Sequence, residues 1–221
     1  DDGIQAAKVL AKAGFGISLD CLGESVKSRG EAREAGTTYV ELLERIAHDK
    51  LDDGTPLRAS TNVSLKLTQM GQDIGFEGDG VGDGSDTERV GGWPRPAGWP
   101  IVDKGGYDEA FLRQNLGRVL ETAKRHDIFV RFDMESSLYT QRTLDFFKSL
   151  WDGGTQNIGV VLQSYLTRTM HDVAAANGLG VRVRICKGAY KEPESVAFPE
   201  KSEVDANYVR AMQSLLSDGN Y

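Results

Sequence analysis

The chain has 221 residues, of which 39% are hydrophobic and 27% charged, and its formal net charge at pH 7 is −7. This composition is typical of one large globular domain or two small ones, and the negative charge argues against binding to nucleic acid, which depends on Lys and Arg neutralising phosphates. The two cysteines and three histidines predict neither a disulfide framework nor a metal site, and a reducing compartment, the cytoplasm, is the expected location.

Segments with helical and with strand periodicity alternate along the chain after a charged, helical N-terminal segment. Strands are predicted at 16–22, 62–67, 128–135, 158–165 and 181–187, and helices at 37–49, 108–126, 140–151, 168–177 (ended by Gly178) and 202–219. Because helices rather than two-residue hairpins join the strands, the strands are expected to be parallel. Two α/β architectures fit, an open doubly wound sheet and a (β/α)8 barrel.

A glycine-rich, acidic segment at 72–106 interrupts this alternation. Its spacing does not fit a phosphate-binding glycine loop, and an EF-hand would place Val81 and Val90 at ligand positions. The segment is therefore predicted to be an insertion loop with little regular structure outside the barrel. Trp93 and Trp99 near its end are expected to pack the loop down.

Polar side chains gather on one face of the strands, near their carboxyl ends, as at Lys66, Asp133 and Arg184. Strands of a doubly wound sheet are covered on both faces and read as continuous apolar runs. A polar inner face at the carboxyl ends is instead where (β/α)8 barrels place their active sites. The alternation favours the barrel, of which about five strands are present. An antiparallel sheet with one solvated face, and a structural ion-pair network without chemistry, remain as alternatives.

Five segments resemble the flavin-dependent proline dehydrogenases, and most of all the stand-alone bacterial type. They are, in chain order, SLDCLGES, SLKLTQMG, VRFDMES, IGVVLQSYL and RICKGAYKEPESVAFPEK. The resemblance covers nearly the whole chain apart from 72–106, so one barrel domain is expected over residues 1–221. It implies a distorted (β/α)8 barrel that binds FAD and oxidises L-proline to Δ1-pyrroline-5-carboxylate, the first step of proline catabolism.

The partners that the resemblance implies are L-proline and a quinone that receives the electrons. Since the quinone is in a membrane, a cytoplasmic protein with a peripheral contact to the inner membrane is expected, and an oligomer is compatible with the family. No apolar run reaches the roughly 20 residues of a membrane span, and no secretory signal is visible.

The resemblance also assigns roles to individual residues. Arg184 matches an arginine beside the flavin, where a fixed cation stabilises negative charge as the hydride arrives, and Asp133 matches the aspartate near the substrate lysine; both are the predicted catalytic residues. Lys66 and Tyr190 are predicted to bind the substrate. The predicted FAD-binding residues are Met134, Gln163, Arg184, Lys187, Gly188 and Ala189, and the predicted gate residues are Asp20 and Glu24. Ion pairing for Arg184 and simple packing for Tyr190 are the structural alternatives.

The chain departs from the family pattern where it stops, because the family continues with a sixth to an eighth strand and a final helix with an arginine pair. An incomplete barrel is therefore expected, and the first residue is not Met. Two other hypotheses remain open: an inactive fragment or interaction module of the same family, and a different barrel enzyme that uses Lys66 as a Schiff base.

Overall fold

The computed structural model describes residues 2–23, 26–74, 92–99 and 108–219. Helices and strands alternate through these ranges. The helices are α1 (Asp2–Lys12), α2 (Arg29–His48), α3 (Glu109–Arg125), α4 (Ser137–Asp152), α5 (Thr169–Leu179) and α6 (Lys201–Asp218), with a 3-10 turn at Leu57–Ala59. The strands are β1 (Ile17–Leu19), β2 (Thr61–Leu65), β3 (Val130–Phe132), β4 (Ile158–Gln163) and β5 (Arg182–Cys186).

The chain divides into two compact units, and the division falls inside β3, between Arg131 and Phe132. The described part of the first unit consists of residues 2–23, 26–74 and 108–131, and that of the second of residues 92–99 and 132–219. The order of neighbouring strands is β1-β2-β3 in the first unit and β3-β4-β5 in the second.

In the first unit, β1 pairs with β2 in parallel, with Ile17 opposite Thr61. The apolar face of α2 packs on α3 around side chains that are almost fully buried, namely Tyr39, Leu43, Ile46, Leu112, Leu116 and Val119. The two helices approach closely at Gly36, where a Cβ would lie 2.6 Å from Asn115 Oδ1. The Asn115 amide donates to the carbonyls of Ala32 and Met70, so this contact also satisfies buried backbone acceptors.

In the second unit, β4 pairs with β5 in parallel from Gly159 opposite Arg182 to Gln163 opposite Cys186. Every residue of β4 is buried, because it lies between two strands and under helices. In β5 the exposed side chains of Arg182 and Arg184 alternate with half-buried ones. The core of this unit is aromatic, with Phe132 and Phe147 in edge-to-face contact at 5.9 Å.

Every predicted strand and helix is found within the described residues, but several boundaries differ from the prediction. The predicted strands 16–22 and 128–135 are shorter, at Ile17–Leu19 and Val130–Phe132, and α4 begins at Ser137 instead of 140. Helix α2 begins at Arg29, eight residues before the predicted start, because the Ser28 hydroxyl accepts from Glu31 N and caps the helix. The predicted end of α5 at Gly178 is wrong. Gly178 lies inside the helix, and Gly180 ends it in the left-handed conformation at φ 68°, where glycine carries no steric penalty.

Of the predicted insertion, only residues 72–74 and 92–99 belong to the described part of the chain, and 75–91 and 100–106 lie outside it. Within 92–99, Trp93 and Trp99 are buried in the second unit. The Trp93 indole donates to Asp172 at 3.0 Å, and its backbone N–H donates to Asp145 at 2.8 Å. The expectation that the tryptophans pack the segment down is met, while the position of the insertion as a whole stays a prediction.

Candidate functional site

A cation and a carboxylate meet near the carboxyl ends of β3 and β5. Arg184 Nη2 donates to Asp133 Oδ1, and 46% of the Arg184 side chain remains exposed against 18% of Asp133. Side chains alternate between the two faces of β5: Arg184 lies on the exposed face, and Val183 and Ile185 lie on the opposite, half-buried face. The structure therefore orients a guanidinium with a carboxylate and leaves part of it accessible to a ligand.

The end of β4 contributes a buried amide in the same unit. Gln163 Nε2 donates to the carbonyl of Glu135 at 2.8 Å, and Gln163, Met134 and Glu135 are all buried. Since one amide hydrogen is used by the backbone of the neighbouring segment, the orientation of the carboxamide is fixed. The second hydrogen and the carbonyl oxygen are the groups through which it can recognise a polar ring edge.

The turn after β5 rests on an aromatic side chain. Gly188 has φ +105°, and a Cβ there would overlap the ring of Tyr165. The backbone N–H of Tyr165 donates to the Lys187 carbonyl at 2.9 Å. The Lys187 ammonium lies 2.5 Å from Asp205 Oδ1 on α6, and this hydrogen bond holds the pKa of the Asp205 carboxyl below its usual value. Ala189 is exposed.

Tyr190 packs, partly buried, against an apolar cluster in the second unit. The cluster consists of Trp99, Tyr165, Leu166, Val196 and Ala197. The structure thus shows a packing role for Tyr190, and its role in substrate binding stays a prediction. Cys186, at the end of β5, is half-buried, and burial raises the pKa of its thiol although Arg184 opposes the rise. A neutral thiol is not a nucleophile at pH 7.

Glu192 is a partly buried carboxylate in the second unit to which the sequence reasoning assigned no role. Its carboxylate accepts from Ser137 N at 2.7 Å, from the Ser137 hydroxyl, and from the Tyr165 hydroxyl at 3.4 Å. Burial, followed by the Glu192 charge, raises the pKa of Tyr165 above its usual value. Because Ser137 is the first residue of α4, Glu192 joins the segment after β5 to a helix N-terminus, where negative charge is favoured. The sequence signal for this pairing was an acidic residue shortly after KGAYK.

Replacing Gly188 by Ala is expected to destabilise the protein more than the same change at Gly180. Both glycines have positive φ, but a Cβ at Gly180 meets nothing within 4 Å, whereas at Gly188 it meets Tyr165. The backbone cost is larger at φ +105° than in the left-handed helical region at φ +68°, and the overlap with Tyr165 adds to it. The extra loss at Gly188 is therefore expected to be at least about 1 kcal/mol in the free energy of unfolding. Urea unfolding of both variants measures it, and equal losses would show that Tyr165 moves aside freely.

The first unit holds the remaining predicted site residues. Lys66 directly follows β2 and is half-buried, and Asp20 directly follows β1 and is exposed. The backbone next to Asp20 is fixed, because Cys21 N donates to the Tyr39 hydroxyl at 3.2 Å and Cys21 O accepts from Gln69 Nε2 at 3.3 Å. Glu24, the second predicted gate residue, lies outside the described residues.

Comparison with known proteins identifies the family. A family model described as proline dehydrogenase matches residues 3–221. The chain belongs to the proline dehydrogenase family. The predicted resemblance is therefore confirmed, and the hypothesis of an unrelated Schiff-base barrel enzyme is set aside.

Curated members of the family match along nearly the whole chain. Proline dehydrogenase 2 of Bacillus subtilis (strain 168) is 33% identical over 218 residues, which are 99% of this chain and 58% of that protein. Proline dehydrogenase of Deinococcus radiodurans is 31% identical over 222 residues, 100% of this chain and 59% of that protein. The chain thus spans less than two thirds of the length of these relatives.

A solved structure shows the fold. The crystal structure of proline utilization A from Bdellovibrio bacteriovorus, inactivated by N-propargylglycine, superposes with a TM-score of 0.71 at 24% identity and covers 97% of this chain and 23% of that one. This likeness confirms the predicted α/β fold of the (β/α)8 type, with five strands in the described part of the chain. The parallel β1–β2 and β4–β5 pairs contradict the antiparallel alternative.

Proposed function

We propose that the protein containing this chain is an FAD-dependent proline dehydrogenase. It oxidises L-proline to Δ1-pyrroline-5-carboxylate and passes the electrons to a quinone. Membership in the proline dehydrogenase family supports the reaction. The observation that carries the assignment to this chain is the partly exposed Arg184 guanidinium paired with Asp133 at the strand ends.

The groups of the second unit fit a flavin by their chemistry. Arg184 offers a fixed cation, Gln163 offers an oriented amide, and the turn at 187–189 ends at the exposed Ala189. A flavin ring becomes more negative when it is reduced and carries donors and acceptors along its edge, so a cation and an oriented amide suit it. FAD, when bound, supplies the acceptor for the hydride of proline.

The chain's own residues then divide the remaining tasks. Arg184 holds positive charge where negative charge develops during the reaction, and Asp133 orients the guanidinium through their hydrogen bond. Lys66 provides an ammonium for the carboxylate of proline, a pairing stronger than a neutral hydrogen bond. Met134 supplies an apolar contact, and Tyr190 takes part in substrate binding. Asp20 and Glu24 act as gate residues.

Electron delivery to a quinone places the protein at a membrane surface, as a cytoplasmic protein with a peripheral contact. Among the described helices, none combines the length and the apolar character that crossing a bilayer requires. Oligomer formation is compatible with this arrangement.

The intact protein, once purified, is expected to release FAD on denaturation, close to one molecule per chain, and to form the cyclic imine product from L-proline. Mass spectrometry of the released cofactor and of the product checks both. A folded protein without flavin and without product would instead identify an inactive or interaction module of the family.

A further inference from the structure

Two helix ends in the first unit bring a carboxylate and two imidazoles together. Glu44 and His48 lie one turn apart on α2, and His126 directly follows α3. Glu44 Oε2 is 2.9 Å from His126 Nε2 and 3.3 Å from His48 Nε2. One ligand atom from each residue lies within 4.8 Å of the others, although Glu44 and His126 are 82 residues apart in sequence.

The two distances from Glu44 Oε2, 2.9 and 3.3 Å, match the coordination shell of a small divalent ion. Residues i and i+4 share a helix face, so Glu44 and His48 present their ligand atoms together. A tetrahedral zinc ion with bonds of about 2.0–2.1 Å to nitrogen and oxygen places neighbouring ligand atoms roughly 3.3 Å apart. Two histidines and one glutamate with an open fourth position form a known zinc ligand set.

The helix termini supply a second, independent reason for a cation. His48 is the last residue of α2, and His126 is the C-cap of α3. The carboxyl ends of both helices therefore meet at the cluster, and the partial negative charge of a helix C-terminus favours a cation there. The helices are held in place because Leu43, Ile46 and Ala123, on their inner faces, are buried.

The ligands are also accessible. The exposed fractions of the side chains are 74% for His48, 35% for Glu44 and 17% for His126. Arg125 Nη1 lies 3.2 Å from the other Glu44 oxygen, with 62% of its side chain exposed. Arg125 is therefore a competing cation for Glu44 that can move into solvent when a metal ion binds.

We propose that Glu44, His48 and His126 bind one Zn²⁺ ion, with the fourth coordination position open to solvent. The ion joins the carboxyl ends of α2 and α3. Among first-row divalent ions, a carboxylate with two imidazoles also accepts Cu²⁺, Ni²⁺ and Co²⁺, with affinity highest for Cu²⁺. The site uses none of the residues assigned to proline oxidation and stands independently of the proposed function.

The test is a titration of chelator-treated intact protein with Zn²⁺ alone, in competition with a chromophoric chelator. One ion per chain is expected, and His48→Ala and His126→Ala should each weaken the affinity about tenfold or more, because even the loss of an outer-shell partner costs 10–100-fold. His171→Ala is the matched control. His171 is the third histidine of the chain, is exposed on α5, and its removal should leave the affinity unchanged.

Arg125→Met is expected to have the opposite effect to the histidine variants, because removing the competing cation should tighten Zn²⁺ binding. Circular dichroism without metal shows whether each variant is folded, and Zn²⁺ should raise the unfolding temperature of the parent but not of the histidine variants. The proposal is overturned if Zn²⁺ does not bind, or if it binds the His48 and His126 variants as tightly as the parent.

Discussion

Replacing Arg168 by Met is expected to lower the free energy of unfolding by about 3–5 kcal/mol, the usual cost of removing one partner of a buried ion pair. Arg168 is 2% exposed, and its guanidinium donates to both oxygens of Asp172, at 2.7 and 2.9 Å. It also lies 4.8 Å from the centre of the Trp99 ring, and Trp93 donates to the same carboxylate. In the variant this carboxylate stays buried without its cation.

The loss of stability caused by Arg168→Met should depend on pH. Burial raises the pKa of the Asp172 carboxyl, while the hydrogen bonds from Arg168 and Trp93 oppose the rise. Without Arg168 the opposition weakens, so the folded-state pKa rises further above the unfolded value. A group with a raised pKa favours the folded state when protonated. The difference in the free energy of unfolding between the variant and the parent should therefore become smaller as the pH is lowered. The change should occur between the raised pKa of folded Asp172 and the ordinary pKa of an unfolded Asp.

Lys201→Met is the matched control for this change. Lys201 pairs with Asp205 on α6, also at i,i+4, but its side chain is 78% exposed, and exposed pairs contribute about 0–1 kcal/mol. Urea unfolding followed by tryptophan fluorescence measures both variants, since Trp93 contacts Asp172 and Trp99 contacts Arg168. Similar small losses in the two variants would show that the buried pair is not a major source of stability.

If the protein binds FAD as proposed, replacing Arg184 by Met is expected to lower the reduction potential of the flavin by roughly 30–65 mV. The change keeps much of the side-chain volume and removes a cation that favours the reduced, more negative form. Losing a hydrogen bond to a charged group costs about 1.5–3 kcal/mol, and for a two-electron couple 30 mV corresponds to about 1.4 kcal/mol. Proline oxidation should slow as well, while the protein remains folded.

Arg182→Met is the control for Arg184, because Arg182 lies two residues earlier on the same exposed face of β5. Replacing Arg182 changes the net charge by the same amount as replacing Arg184 and should leave the reduction potential of the flavin nearly unchanged. Anaerobic reductive titration against a dye of known potential compares the variants with the parent. If the two variants shift the potential equally, the effect comes from net charge; if neither shifts it at normal flavin content, Arg184 has a structural role.

Much of the fold could be predicted from local patterns in the sequence. Val183 and Ile185 alternate with Arg182 and Arg184 along the strand, so the polar face of β5 could be predicted from the sequence alone. That this face lines the inside of a barrel stays a prediction. Parallel strands end at the same edge of a sheet, and this placed Asp133 near Arg184. The helix-joined order of strands then excluded tight hairpins.

Contacts between residues distant in sequence could not be predicted in the same way. Trp93 and Asp172 are 79 residues apart, and no local periodicity specifies which buried carboxylate an indole meets. Glu192 and Ser137 are 55 residues apart, and their pairing depends on where the turn after β5 reaches the start of α4. The proposed metal site was not predicted from the sequence for the same reason: His48 and His126 are distant in sequence and do not share a motif.

The end of α5 shows a different limit. Gly178 and Gly180 are both plausible helix terminators, and the choice depends on which residue adopts the left-handed conformation. Val181 is fully buried at the start of the next strand, and its backbone N–H donates to Ala176 at 3.0 Å. Together with the bond from Gly180 N to the Asn177 carbonyl, this hydrogen bond forms a local Schellman cap with Gly180 in the left-handed position. The buried position of Val181 favours this cap over one at Gly178.

The most direct test of the proposed function is the absorption spectrum of the intact holoprotein when L-proline is added without oxygen. Proline dehydrogenase activity predicts that the band of the oxidised flavin is lost on addition of L-proline and not on addition of D-proline. The band should return when a quinone is supplied. A bound flavin whose spectrum does not change with saturating L-proline would contradict the account.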